Sequence, residues 1–69
     1  MSAPDGLSAA TAELSSAATD LAALIERITR TAESLEQSGA EMAAHDLFEV
    51  ERSLQAAARR MAQTMREMR

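Results

Sequence analysis

SGAE, residues 38–41, stands between two rows of apolar residues that follow helical spacing but do not share one register. Gly39 is the residue type that most often ends an α-helix, because its backbone reaches positive φ without steric cost. Ser38 and Glu41 also have the S-x-x-E spacing of a capping box, in which both side chains satisfy free amides of a new helix. Either use predicts that one helix ends at this point and another begins.

The first row occupies the segment before Gly39. It repeats every seven residues, with further apolar residues three and four positions later, which is the heptad pattern of a helix that packs lengthwise on a partner. The sevenfold positions are Leu7, Leu14, Leu21, Ile28 and Leu35, and the positions between them include Ala10, Ala17, Ala18, Leu24, Ile25 and Ala32. We predict helix 1 over about residues 5–37.

The second row begins after the turn and is out of phase with the first. Continued at the same spacing, the first row would reach Met42 and then Glu49, whereas the second starts at Leu47. It comprises Leu47, Leu54, Met61 and Met68, with Val50, Ala57, Ala58 and Met65 between them. We predict helix 2 over about residues 40–67 and a turn at about 38–40, which makes an antiparallel αα-hairpin.

A single continuous helix, only kinked at Gly39, is the alternative, since one glycine inside a helix costs only about 1 kcal/mol. Composition supports an all-α fold in both cases. The 69 residues contain two Gly, one Pro and one aromatic residue, and no cysteine that could form a disulfide or a thiolate metal site. The chain forms one domain, residues 1–69.

One hairpin is too small to bury this much apolar surface, because each helix covers only one stripe of the other. Pairs such as Leu24 with Ile25 and Ala57 with Ala58 widen each row toward three positions per heptad, the width of a helix with more than one neighbour. We therefore predict a homodimer that forms a four-helix bundle. The predicted interface residues are Leu14, Leu21, Leu24, Ile25, Ile28, Leu35, Leu47, Val50, Leu54, Met61 and Met65.

This pattern favours a noncatalytic protein–protein interaction module, a small adaptor or subunit that acts through coiled-coil-like helix association. A further helical protein is a second possible partner. The Ser and Thr residues of helix 1 have no histidine nearby, and no glycine-rich elbow or phosphate loop is present, so neither an enzyme nor a cofactor is predicted.

A metal site is the first alternative. Glu41, His45 and Glu49 are spaced by four and therefore share one helical face, and both residue types are ligands of zinc and iron. Carboxylate-bridged bundles use Glu-x-x-His from facing helices, whereas this chain has Glu-x-x-x-His once. The spacing is also what any helix provides, so no metal is predicted.

Nucleic-acid or membrane-surface association is the second alternative, through the C-terminal residues Arg52, Arg59, Arg60, Arg66 and Arg69. The net charge of −4 and the lack of an aromatic residue within this C-terminal segment make both partners a weaker prediction. We expect these arginines to dock instead on acidic residues of helix 1 such as Glu13 and Asp20.

The chain opens MSAPDG, without the basic and apolar segments of a signal peptide, and lacks the roughly 20 apolar residues that span a bilayer. A cytoplasmic location is expected. All seven basic residues are Arg, which together with the alanine content is typical of a GC-rich bacterial genome.

In size and architecture the chain resembles the small secreted hairpin proteins of actinobacteria that carry a Trp-x-Gly motif at the turn and pair as four-helix assemblies. This chain has Ser38, Gly39 and Ala40 at that place, and no Tyr for the export signal. The resemblance therefore concerns architecture, and no family is assigned from it.

Overall fold

The computed structural model describes residues 3–68 and consists of two α-helices packed against each other. The helix α1 spans Ala3–Gln37 and the helix α2 spans Glu41–Glu67. Because three residues separate them, the second helix runs back along the first. The predicted helical hairpin is confirmed, with helix bounds close to those expected, and the single kinked helix is wrong.

The turn between the helices is a Schellman motif centred on Gly39, whose φ is +92°. The backbone N–H of Gly39 donates to the carbonyl of Glu36 at 3.2 Å, and that of Ala40 donates to the carbonyl of Leu35 at 2.9 Å. These two bonds satisfy carbonyl groups that the end of α1 leaves free. Gly39 therefore stops the first helix in the way that its residue type predicts.

The predicted capping box between Ser38 and Glu41 is wrong. The residue before α2 is Ala40, which makes no side-chain cap. The hydroxyl of Ser38 instead donates to the carbonyl of Leu35 at 2.9 Å, and so belongs to the end of α1. The two motifs overlap at residues 38–40. With the Schellman motif formed, α2 begins at Glu41, so Ser38 lies two residues before the N-cap position of the second helix.

The seam between the helices follows alternating steps of three and four residues. On α1 it comprises Thr11, Leu14, Ala18, Leu21, Ile25, Ile28, Ala32 and Leu35. On α2 it comprises Ala44, Leu47, Glu51, Leu54, Ala58, Met61, Met65 and Met68. Two positions per heptad on each helix are what a two-stranded coiled coil needs. The interior is thin, since Ile25, Ala32 and Ala44 are the buried apolar residues among residues 6–68.

The two helices differ in length, and α1 extends beyond the end of its partner. Its 35 residues exceed the 27 residues of α2 by eight, which at 1.5 Å per residue is an overhang of about 12 Å. Leu7 lies in this overhang and is 48% exposed. The prediction that Leu7 extends the seam is therefore wrong, because no residue of α2 lies opposite it.

Candidate interaction surface

The seam of each helix contains two rows of residues with different burial. Both rows repeat every seven residues, and one of them consists of large side chains throughout. We call it the sevenfold row, and it comprises Leu14, Leu21, Ile28 and Leu35 on α1 and Leu47, Leu54, Met61 and Met68 on α2. All eight of these residues are only half-buried. The buried Ile25, Ala32 and Ala44 belong to the other row, four residues later in each heptad, whose remaining members are half-buried. The three buried positions of the hairpin thus lie outside the sevenfold row, whose large side chains remain partly open.

A third row flanks the sevenfold row on each helix, four residues before each of its members. It comprises Ala10, Ala17, Leu24 and Thr31 on α1 and Ala43, Val50, Ala57 and Thr64 on α2. Apart from the half-buried Ala17, these residues are exposed. Leu24 is 40% exposed and Val50 41%, although both are large apolar residues.

The flanking rows of the two helices lie on the same side of the hairpin. Leu24, Ile28 and Thr31 of α1 and Leu47 of α2 line one shallow depression of about 240 Å³, with Arg27 also lining it. Val50 follows Leu47 by one helical turn and therefore borders the same side. We call the two sevenfold rows and the two flanking rows together the open face. None of its sixteen residues is charged.

The opposite face of the hairpin is more polar. Its exposed and half-buried positions are Ser15, Ala22, Thr29 and Glu36 on α1 and Phe48, Gln55 and Ala62 on α2. Glu51 borders this face from within the seam, half-buried, and makes no ion pair or side-chain hydrogen bond within residues 3–68. Of the two broad faces, the open face is the one suited to apolar contact.

The predicted interface residues divide between the inside of the hairpin and the open face. Ile25 is buried and Met65 half-buried between the two helices, while Leu24 and Val50 remain outside. The sevenfold residues belong to both surfaces. Met42, where the first row would have continued, is 83% exposed, which confirms the predicted change of register.

Thr11, Ala44 and Glu51 are the seam residues that were not predicted, and the charged one among them is Glu51. Its position, four residues after Leu47 and three before Leu54, belongs to the same repeat as Ala58 and Met65. Its spacing is that of a seam position, but its charge does not fit a row of apolar residues. A carboxylate in a coiled-coil seam lowers stability and can select one register over another.

The candidate metal ligands are on the exposed surface of α2. His45 Nε2 lies 3.8 Å from Glu49 Oε2, and the same carboxylate oxygen lies 3.1 Å from Arg52 Nη1. Residues 3–68 contain no group of three or more His, Cys, Asp or Glu side chains placed to hold a metal ion. Glu49 is therefore engaged in an intrahelical ion pair with Arg52.

The predicted docking of C-terminal arginines on Glu13 and Asp20 is wrong for the hairpin. The ion pairs within the described range all join residues of one helix, including Glu26 and Arg30 at 3.4 Å. Arg59, Arg60 and Arg66 instead surround a shallow depression on the outer side of α2. Arg69 lies outside the described residues.

Neither helix, over the part of the chain described, combines the length and the hydropathy that a membrane crossing requires. Comparison with known proteins yields no relative: no protein-family model matches the chain, and neither a curated protein nor a solved structure matches it.

Proposed function

We propose that the protein is a noncatalytic interaction module, a small adaptor or subunit of the cytoplasm, that works by packing its helices against other helices. In its basic form it is a homodimer in which two hairpins make a four-helix bundle. The observation that carries this proposal is the open face, where large apolar side chains of both helices remain exposed after the hairpin has formed.

The dimensions of the hairpin support the proposal. Its radius of gyration is 16.3 Å and its extents are 58 × 15 × 11 Å, whereas a compact domain of this length has a radius of gyration of about 11 Å. Only one layer of side chains lies between the two helices. A fold this thin has little hydrophobic stabilisation of its own, and a second layer of helices on its open face adds what is lacking.

Sedimentation equilibrium at micromolar concentration tests this proposal. We expect twice the chain mass of 7.4 kDa, together with a thermal midpoint that rises with protein concentration, because association stabilises the folded state by mass action. A monomer that is fully helical and melts at the same temperature at every concentration would overturn the proposal.

A monomer that is poorly helical alone would support the same function with a different partner. The interaction would then be with another helical protein, whose addition should restore helicity measured by circular dichroism at 222 nm. This outcome separates a module that needs a heterologous partner from a hairpin that is stable without any.

A further inference from the structure

We infer that the open face of one hairpin packs directly on the open face of a second copy, so that the sevenfold and flanking rows of two chains form one core. This inference rests on the proposed function and adds to it the surface and its occupant. The opposite face, with Glu36, Phe48 and Gln55, then stays on the outside of the bundle.

The surface area of the hairpin fits one partner of its own size. The chain exposes 5164 Å², whereas a compact monomer of its mass exposes about 4200 Å². The excess of about 1000 Å² is close to the roughly 800 Å² that each partner buries in a stable interface. One additional hairpin therefore accounts for the excess surface.

The open face has its large and small side chains in separate rows, so that it can fit a second copy of itself. Its sevenfold rows consist of Leu, Ile and Met, and its flanking rows are mostly Ala and Thr. When two such faces meet, a large row of one copy can lie against a small row of the other, and alternation of large and small residues across facing positions fills a helical core. A two-fold dimer requires this property, because the same patch must fit itself.

The distribution of charged residues also favours the open face as the dimer interface. Burying a charged group without a partner is costly, so an interface core should exclude charges. The open face contains none over its sixteen residues, with Arg27 at the border of its depression, whereas the opposite face itself carries Glu36 and borders the half-buried Glu51. A second copy on the opposite face would therefore have to desolvate these groups.

A pair of matched double variants tests the inference on the full chain. The first, Leu24→Arg with Val50→Arg, adds two positive charges to the open face at positions that the seam of the hairpin does not use. The second, Ala22→Arg with Ala62→Arg, adds the same charge at exposed positions of the opposite face. Dimer dissociation constants come from sedimentation equilibrium, and helicity comes from circular dichroism.

We expect the open-face variant to raise the dissociation constant at least about tenfold relative to the native chain, because each charge would be buried on association. The matched opposite-face variant should stay within about threefold of the native value. If both variants weaken the dimer equally, or if the open-face variant dimerises like the native chain, the inference is overturned. A fully helical native monomer would be a failure of the proposed function itself.

A mixing experiment covers the case in which the open-face variant does not fold alone. The variant Leu24→Glu with Val50→Glu carries the opposite charge at the same positions. If open faces meet, mixing the Arg and Glu variants should restore helicity and give a heterodimer, because the new charges then face each other. Failure of an equimolar mixture to associate, while the native chain dimerises, would overturn the inference.

Discussion

Leu24 of α1 and Leu47 of α2 line the same depression on one side of the hairpin, although only Leu47 belongs to the seam between the two helices. Leu24 is one residue before the buried Ile25, and this pair shows how the apolar pattern is divided. One of two neighbouring apolar positions closes the hairpin, and the other remains on its surface. The width of the pattern thus exceeds what a hairpin alone requires.

The methionines of α2 should contribute unequally to stability. Met61 is half-buried in the sevenfold row, whereas Met42 is 83% exposed. We expect Met61→Gln to lower the free energy of unfolding by about 1 kcal/mol, because an amide replaces buried apolar surface at similar length. Met42→Gln should change it by less than about 0.5 kcal/mol. Urea denaturation at one protein concentration measures both values, and equal effects would contradict this assignment.

Gly39 should tolerate alanine poorly, although there is space for the side chain. No atom outside its immediate neighbours lies within 4 Å of a Cβ added at this position, so a steric clash is not the reason. Its φ of +92° is the reason, since residues with a Cβ rarely adopt it. We expect Gly39→Ala to lower the free energy of unfolding by about 1 to 2 kcal/mol in urea denaturation.

Gly6→Ala is the matched control, because Gly6 lies within α1 and an added Cβ there also meets nothing within 4 Å. Alanine is favoured over glycine inside a helix by roughly 0.5 to 1 kcal/mol. The same substitution should therefore be neutral or stabilising at residue 6 and destabilising at residue 39. Loss of stability at both positions would indicate that backbone φ is not the cause.

Most of the architecture was predictable because it depends on local chemistry and on the period of the apolar residues. The phase shift between Leu35 and Leu47, with Gly39 between them, predicted two helices and their approximate ends. The assignment of individual apolar residues was not predictable. Ile25 is buried and its neighbour Leu24 is exposed, and both fit a seam that is three positions wide.

Two further features depended on tertiary geometry. The overhang that exposes Leu7 follows from the difference in length between the helices, so an exact heptad position was not enough to bury it. The role of Ser38 depended on which of two overlapping motifs formed. The Schellman motif at Gly39 forms and satisfies two backbone carbonyls, while α2 begins without a side-chain cap.

The C-terminal arginines should not contribute to the stability of the hairpin. Arg59 and Arg60 make no ion pair within residues 3–68, and the ion pairs found there lie within single, solvent-exposed helical turns. We expect Arg59→Ala with Arg60→Ala to shift the free energy of unfolding by less than about 0.5 kcal/mol, at both low and high salt. A salt-sensitive loss of more than about 1 kcal/mol would restore the docking of these residues on Glu13 and Asp20.

Zinc should not stabilise the fold through His45. The only carboxylate within 4.0 Å of its ring, within the described residues, is that of Glu49, which also pairs with Arg52. Differential scanning calorimetry of the native chain should give the same thermal midpoint with and without equimolar Zn²⁺. The variant His45→Ala should behave identically. A zinc-dependent rise that occurs in the native chain and not in His45→Ala would establish the metal site with Glu41 and Glu49.

A single apolar substitution of Glu51 should stabilise the hairpin. Glu51 is half-buried in the seam, and Ile28 stands at the same distance from the turn on the other helix. We expect Glu51→Leu to raise the free energy of unfolding by about 1 kcal/mol, because a leucine adds apolar contact at a seam position now occupied by a charged side chain.

Glu33→Leu is the control for this substitution, since Glu33 is exposed on α1 and lies outside the seam. It removes the same charge and adds the same side chain, so its effect should stay within about 0.5 kcal/mol. Urea denaturation of both variants at one concentration separates seam packing from a general effect of lower negative charge. If the two variants are stabilised equally, net charge is the cause and Glu51 does not weaken the seam.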